Sequence, residues 1–163
     1  MDTPDCSLII TGDGDASTHI KETAAKDTRI QYYGFIDDYS KVKEMQRNAD
    51  VLMNMRLPEE QASKYCFPSK LFEYMKSGNP VISFRLGGIG EEYYEHLLVA
   101  EENSAEGLAA VMRRAMTMSG AERDALGMKA RNFIKERKNY SVQTKLIYDL
   151  IEGVKAKPAT VQD

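Results

Sequence analysis

The sequence has no tryptophan, two cysteines and two histidines, and no strong excess of charge of either sign. Each shortage excludes something. Cys6 and Cys66 are distant and form no CxxC pair, so neither a disulfide framework nor a cysteine zinc site is expected. Both are read as reduced thiols, which places the protein in the cytoplasm. His19 and His96 have no partner at metal-ligand spacing, so no metal is expected and both are assigned to surface or helix-face positions. The formal net charge of −3 argues against a nucleic-acid partner, which would demand a basic face. No apolar run approaches the ~20 residues of a membrane span. The opening Met1-Asp2-Thr3-Pro4-Asp5 has neither a basic nor an apolar stretch and is not read as a signal peptide.

What is present fits one ordinary domain. The chain has 163 residues, 42% hydrophobic and 29% charged. A domain of that size buries roughly two-thirds of the surface its unfolded chain exposes. Short apolar runs at 7–10, 29–36, 50–55, 80–84 and 97–100 predict strands. Helices are expected at 16–26, 39–48, 69–77, 104–118, 121–138 and 141–154, with Ser104 and Ser141 as N-caps. The alternation predicts an α/β fold, a Rossmann-like parallel sheet with helices on both faces. Residues 1–155 form a single domain on this reading, and 156–163 a disordered tail. The chain enters its first strand almost at once, so a leading strand-helix unit is expected to be missing. The nine methionines read as core filler, and Arg113 and Arg114 as a solvated helix face.

The most informative stretch is Y-C-F-P-S-K-L-F-E-Y-M-K-S-G-N-P-V-I-S-F, residues 65–84. Pro68 suits a first helical turn, Ser69 can cap it, Gly78 supplies a left-handed end, and Pro80 stops the helix before a strand. A helix N-terminus at the carboxyl end of parallel strands favours anions. Lys70 adds a charge there. Glu73, one turn on, suits a pair of ribose hydroxyls better than a phosphate. The plainer alternative is that Lys70 and Glu73 form an exposed i,i+3 ion pair and nothing more.

The run F-P-S-K-L-F-E-Y-M-K-S-G-N-P-V-I-S resembles the signature of family 4 (group 1) glycosyltransferases and their B-type relatives. The flanks agree in order: L-I-I-T-G-D-G at 8–14, R-I-Q-Y-Y-G-F-I at 29–36, N-A-D-V-L-M at 48–53, G-G-I-G-E at 87–91 and L-L-V-A-E-E-N-S-A-E-G-L-A at 97–109. The resemblance implies half of a B-type glycosyltransferase fold, the C-terminal, nucleotide-sugar-binding domain. It implies transfer of a sugar from a nucleotide diphosphate sugar to an acceptor hydroxyl, with retention and without metal or other cofactor. Glu73 would hold the donor ribose. Cys66, Phe67, Pro68 and Ser69 would line the diphosphate and sugar, with Lys70 near by. Phe35 and Ile36 would lie against the base, and Gly12 would sit in the glycine turn beside the donor. Gly88 and Glu91 are further candidates: the glycines 87, 88 and 90 cradle phosphate or merely turn, and Glu91 and Glu92 contact the sugar or cap the next helix.

Two departures stand out. The family often has a first glutamate before the one matched by Glu73, and Tyr65 occupies that place, so no catalytic residue is assigned. The acceptor-binding domain expected in front is absent, so this chain alone is expected to be inactive. The helix at 141–154 would then expose its apolar residues and favour self-association. The rival readings are a non-catalytic nucleotide-binding or partner-binding module, and another B-type enzyme such as a sugar-nucleotide epimerase.

Overall fold

A computed structural model describes residues 6–155, in two compact units that divide between Asn48 and Ala49. The tail expected to be disordered, 156–163, and the opening five residues lie outside the described residues.

In the first unit, β1 (Leu8–Ile10) pairs in parallel with β2 (Ile30–Tyr32), with Leu8 opposite Ile30 and Ile10 opposite Tyr32. Helix α1 (Ser17–Ala24) joins them, as a parallel pair requires, and α2 (Tyr39–Asn48) follows. The strand expected over 29–36 stops at Tyr32, because Gly34 turns the chain with φ 65°. Gly12, at φ 118°, donates its N–H to the Gly34 carbonyl at 2.7 Å, so two glycine turns close the carboxyl ends of both strands. Ahead of β2, Arg29 grips Asp27 with Nε to Oδ1 at 2.9 Å and Nη2 to Oδ2 at 2.6 Å. That fork holds the Asp27 carboxyl down at about 2.

In the second unit, β3 (Leu52–Asn54), β4 (Val81–Phe84) and β5 (Leu98–Ala100) lie in that order, all parallel. Leu52 faces Val81, and Ile82 faces Leu98. The central strand β4 is buried at all four residues, which is why it reads as V-I-S-F without polar alternation. Between β3 and β4 run α3 (Gln61–Tyr65) and α4 (Ser69–Ser77). A 3-10 helix (Glu91–His96) joins β4 to β5. Then come α5 (Ala105–Thr117), α6 (Gly120–Arg137) and α7 (Tyr140–Lys155). Leu71, Met75, Val81, Ile82, Leu98, Val111, Ala130 and Ile134 form the core. Each large apolar side chain buried there contributes roughly 1.5–3 kcal/mol. Helix α6 crosses the end of α4 closely: a Cβ on Gly127 would overlap the Gly78 carbonyl, so only glycine allows that packing.

Several expectations need correcting. The helix at 121–138 starts earlier, at Gly120, because Ser119 and Glu122 make a capping box. Asn139, not Ser141, caps α7, its Oδ1 accepting the Val142 N–H at 3.0 Å. Ser104 does cap α5, accepting the Gly107 N–H at 2.9 Å. The short α3 was not expected; five residues carry too little periodicity to read. Met75 is core, but Met55, Met116 and Met128 are exposed rather than filling it. His96 is buried, not at the surface. It stacks on Phe133 with centroids 4.3 Å apart, and neither ring nitrogen has a hydrogen-bond partner among the described residues. Burial depresses its pKa, with Glu95 opposing and Lys129 adding to the shift.

Candidate functional site

Ligands of open parallel sheets bind beyond the carboxyl ends of the strands. In the second unit that edge is built on buried polar groups. Asn54, the last residue of β3, donates from Nδ2 to the Ser83 hydroxyl at 3.0 Å, and Ser83 donates on to the Phe84 carbonyl at 2.9 Å. Both residues are buried, so each must be satisfied internally, and together they tie β3 to β4 where the loops begin. Neither was singled out from sequence. The signal was a polar residue near the end of each of two apolar strands.

Above this edge the glycine loop lies directly on the segment that leads into α4. Gly88 donates its N–H to the Ser63 carbonyl at 2.9 Å. A Cβ on Gly87 would stand 2.8 Å from the Lys64 carbonyl oxygen, and one on Gly88 would overlap the Cys66 carbonyl. These glycines are therefore needed for backbone approach as well as for turning. Ser63 is wholly buried, and its hydroxyl has no partner among the described residues.

The start of α4 departs from expectation. Pro68 is the N-cap residue, in an extended conformation, and no side chain caps the turn; Ser69 is the first helical residue and not the cap. Gly78 ends the helix at φ 94°, as its sequence position implies. Lys70 Nζ lies 3.0 Å from Glu73 Oε2, with Lys70 the more exposed of the two. Phe67 packs its ring on Tyr93 at 5.0 Å, and Tyr93 packs edge-on against Phe133 at 5.1 Å, so Phe67 anchors the segment. Cys66 is exposed, and Tyr65 is 77% exposed. Glu91 pairs with Arg85 at 3.0 Å, and Glu92 with Lys138 at 2.7 Å. The Lys138 ammonium lowers the Glu92 pKa. The edge thus packs Gly88 on the backbone of Cys66, beside the exposed Tyr65, and places Pro68, Ser69, Lys70 and Glu73 at the cap and along the first turns of α4.

In the first unit, Asp13, Lys21, Tyr32, Tyr33, Gly34 and Phe35 line a cavity of about 340 Å³. Phe35 is 70% exposed and Ile36 half-buried. The Tyr32 hydroxyl donates to the Gly12 carbonyl at 2.8 Å. Ser17 donates to Asp13 Oδ1 at 2.7 Å, which with the Gly14 N–H lowers the Asp13 pKa. Gly12 and the Gly34-Phe35 turn therefore sit together. Among the described residues no group of three or more acidic, histidine or cysteine side chains could hold a metal, and no helix is long and apolar enough to cross a membrane.

Comparison with known proteins bears on this arrangement. A family model described as "Glycosyl transferases group 1" matches residues 1–118. No curated protein matches the chain. Among solved structures it is similar to Anabaena HepE in complex with UDP-glucose, at 15% identity and TM-score 0.69, over 93% of this chain and 42% of that one. It is similar to WaaG, a glycosyltransferase involved in lipopolysaccharide biosynthesis, at 21% identity and TM-score 0.61, over 86% of this chain and 36% of that one. It is also similar to an α,α-trehalose 6-phosphate synthase from Burkholderia multivorans, at 18% identity and TM-score 0.62, over 92% and 36%. At these identities the likeness shows the fold, a Rossmann-like α/β arrangement shared with B-type glycosyltransferases. The chain spans less than half the length of each of these relatives.

Proposed function

We propose a sugar-donor site on one premise: this chain belongs to the group 1 glycosyl transferases. On that reading it is the C-terminal, donor-binding half of a family 4-like enzyme. It holds a nucleotide diphosphate sugar, and the sugar passes to an acceptor hydroxyl with retention and without metal once an acceptor domain is joined to it. The observation that carries the reading is the start of α4. There a helix of nine residues, uncapped by any side chain, opens beside the carboxyl edge of a parallel sheet, with Lys70 and Glu73 on its first turns.

The roles assigned to the residues are those the family resemblance implies, and charge supports two of them. The helix dipole and Lys70 favour the diphosphate. Glu73, as a carboxylate, accepts hydrogen bonds from the ribose hydroxyls. Cys66, Phe67, Pro68 and Ser69 line the diphosphate and sugar through their backbone. Gly88 holds that segment in place, and Tyr65 and Glu91 flank it. Phe35, Ile36 and Gly12, in the first unit, are kept as the base and glycine-turn candidates that the family resemblance implies. The departing diphosphate gains charge, and positive groups fixed in advance stabilise it without reorganising. No residue is assigned as acid, base or nucleophile. The bound UDP-glucose of HepE makes UDP the first nucleotide to try. WaaG, similar in fold, is involved in lipopolysaccharide biosynthesis, and polysaccharide assembly is the setting proposed here.

A second reading, a nucleotide-binding module without chemistry, is favoured by one feature: Tyr65 is no carboxylate at neutral pH. A thermal-shift screen with UDP, GDP, ADP and TDP and their sugar conjugates, without metal, tests the donor site itself. A ligand that binds only the folded chain raises its melting temperature. A rise with one nucleotide is expected, and no rise at millimolar ligand contradicts the reading.

A further inference from the structure

We propose that Arg85 is a second cation of the donor site and binds the diphosphate through the side of its guanidinium; the inference rests on the donor-site reading above. Arg85 is the first residue after β4 and opens the glycine loop. Its guanidinium lies 4.5 Å over the Tyr94 ring. That ring is itself fixed: the Tyr94 hydroxyl accepts the Leu86 N–H at 2.9 Å and donates to the Leu86 carbonyl at 2.9 Å. The platform beneath Arg85 is therefore buried and tied to the backbone next to it.

The pairing of Arg85 is incomplete in a specific way. Nη1 alone reaches Glu91, at 3.3 Å from Oε1 and 3.0 Å from Oε2. Nε and Nη2, the two donors along the side of the group, have no acceptor among the described residues. In Arg29 the same two donors are filled by both oxygens of Asp27. Two parallel N–H groups of this kind match two oxygens of a phosphate, which the point charge of a lysine cannot do.

The location fits the ligand. Gly87 and Gly88, directly after Arg85 and Leu86, rest on the backbone of Lys64 and Cys66, the segment that runs into α4. The charge count also calls for a further cation. Lys70 is already paired with Glu73, so α4 offers little net positive charge to a diphosphate on its own. The exposed ion pair with Glu91 by itself contributes almost nothing to folding.

Calorimetric titration of the full chain tests this. Whichever of UDP, GDP, ADP and TDP binds is titrated beside its own nucleoside, into wild type, Arg85→Ala and Arg85→Lys. Both variants are expected to bind the diphosphate roughly 10- to 100-fold more weakly, the usual effect of losing charged hydrogen bonds, while nucleoside affinity and ligand-free melting temperature stay unchanged. Lysine recovers little, because it has no fork. Unchanged diphosphate affinity in Arg85→Ala overturns the inference and leaves the donor site standing. An equal loss for nucleoside and diphosphate, or a fall in ligand-free melting temperature, also overturns it by exposing a structural role. Failure of wild type to bind any of the four removes the donor-site reading and this inference together.

Discussion

Gly88 lies so close to Cys66 that a Cβ on the glycine would occupy the space of the Cys66 carbonyl. The contact joins the loop after β4 to the segment before α4, and it is made by backbone alone. Gly88→Ala must push one of those two backbones away. Overpacking of this kind costs about 1–3 kcal/mol, and urea unfolding should show a loss in that range. A change below half a kcal/mol would mean that the loop is not held there.

The Ser119 capping box fixes the start of α6. Ser119 Oγ accepts the Glu122 N–H at 3.3 Å, and Glu122 Oε2 accepts the Ser119 N–H at 2.8 Å. Ser119→Ala is expected to lower stability by about 1 kcal/mol, typical of a lost N-cap. The Ser119 N–H, and the Ser119 hydroxyl donating to the same Oε2 at 2.8 Å, lower the Glu122 pKa below its usual 4.5. A carboxyl lowered on folding contributes stability above its unfolded value, and loses it as pH falls through the folded one. Wild type should therefore lose more stability than Glu122→Gln below pH 4.5. Parallel acid profiles for the two would remove the box from the account.

His96 predicts a second loss of stability on acidification, in a higher pH range. Its pKa is depressed on folding, so the unfolded chain takes up the proton first as pH falls through 6.5. Stability should therefore decline from pH 6.5 downward, until the folded imidazole also titrates. His96→Phe keeps an aromatic ring against Phe133 and should flatten the profile in that range. An unaltered slope would show that another group carries the dependence.

These particulars show what could be read from sequence. The three strands of the second unit, α4 with its glycine end, and the Ser104 cap were all legible, because each rests on local rules: apolar runs, a left-handed residue, a hydroxyl before a helix. What escaped depended on contacts far apart in the chain. Nothing near His96 announces that Phe133 will cover it. The closeness of Gly88 to Cys66 and of Gly127 to Gly78 is a tertiary fact, visible in sequence only as a glycine with several possible uses. Pro68 taking the cap position from Ser69 is a shift of one residue, and element ends are where local rules are weakest. Among the candidate site residues, the i,i+3 spacing of Lys70 and Glu73 foretold their ion pair, and the family resemblance gave them a further role. Arg85 was not singled out, because its place over the Tyr94 ring is a tertiary fact.

Helix α7 leaves Leu146, Ile147, Tyr148, Leu150 and Ile151 exposed. A patch of that kind favours association. The 163-residue chain is expected to sediment as more than a monomer at tens of micromolar, and Leu146→Glu with Leu150→Glu to return it to monomer. A monomer at every concentration would contradict self-association through this face.

The central claim is that Glu73 holds the donor while contributing little to the fold. Glu73 and Lys70 are an exposed i,i+3 pair at 3.0 Å, worth a few tenths of a kcal/mol to stability. As a ribose partner, Glu73 is worth roughly 1–3 kcal/mol of binding. The most direct measurement is calorimetry of the best-binding nucleotide with wild type and Glu73→Ala, without metal, beside the melting temperatures of both. The account predicts weaker binding by that amount at an unchanged melting temperature. Equal affinities would contradict it and leave Lys70 and Glu73 as a surface ion pair.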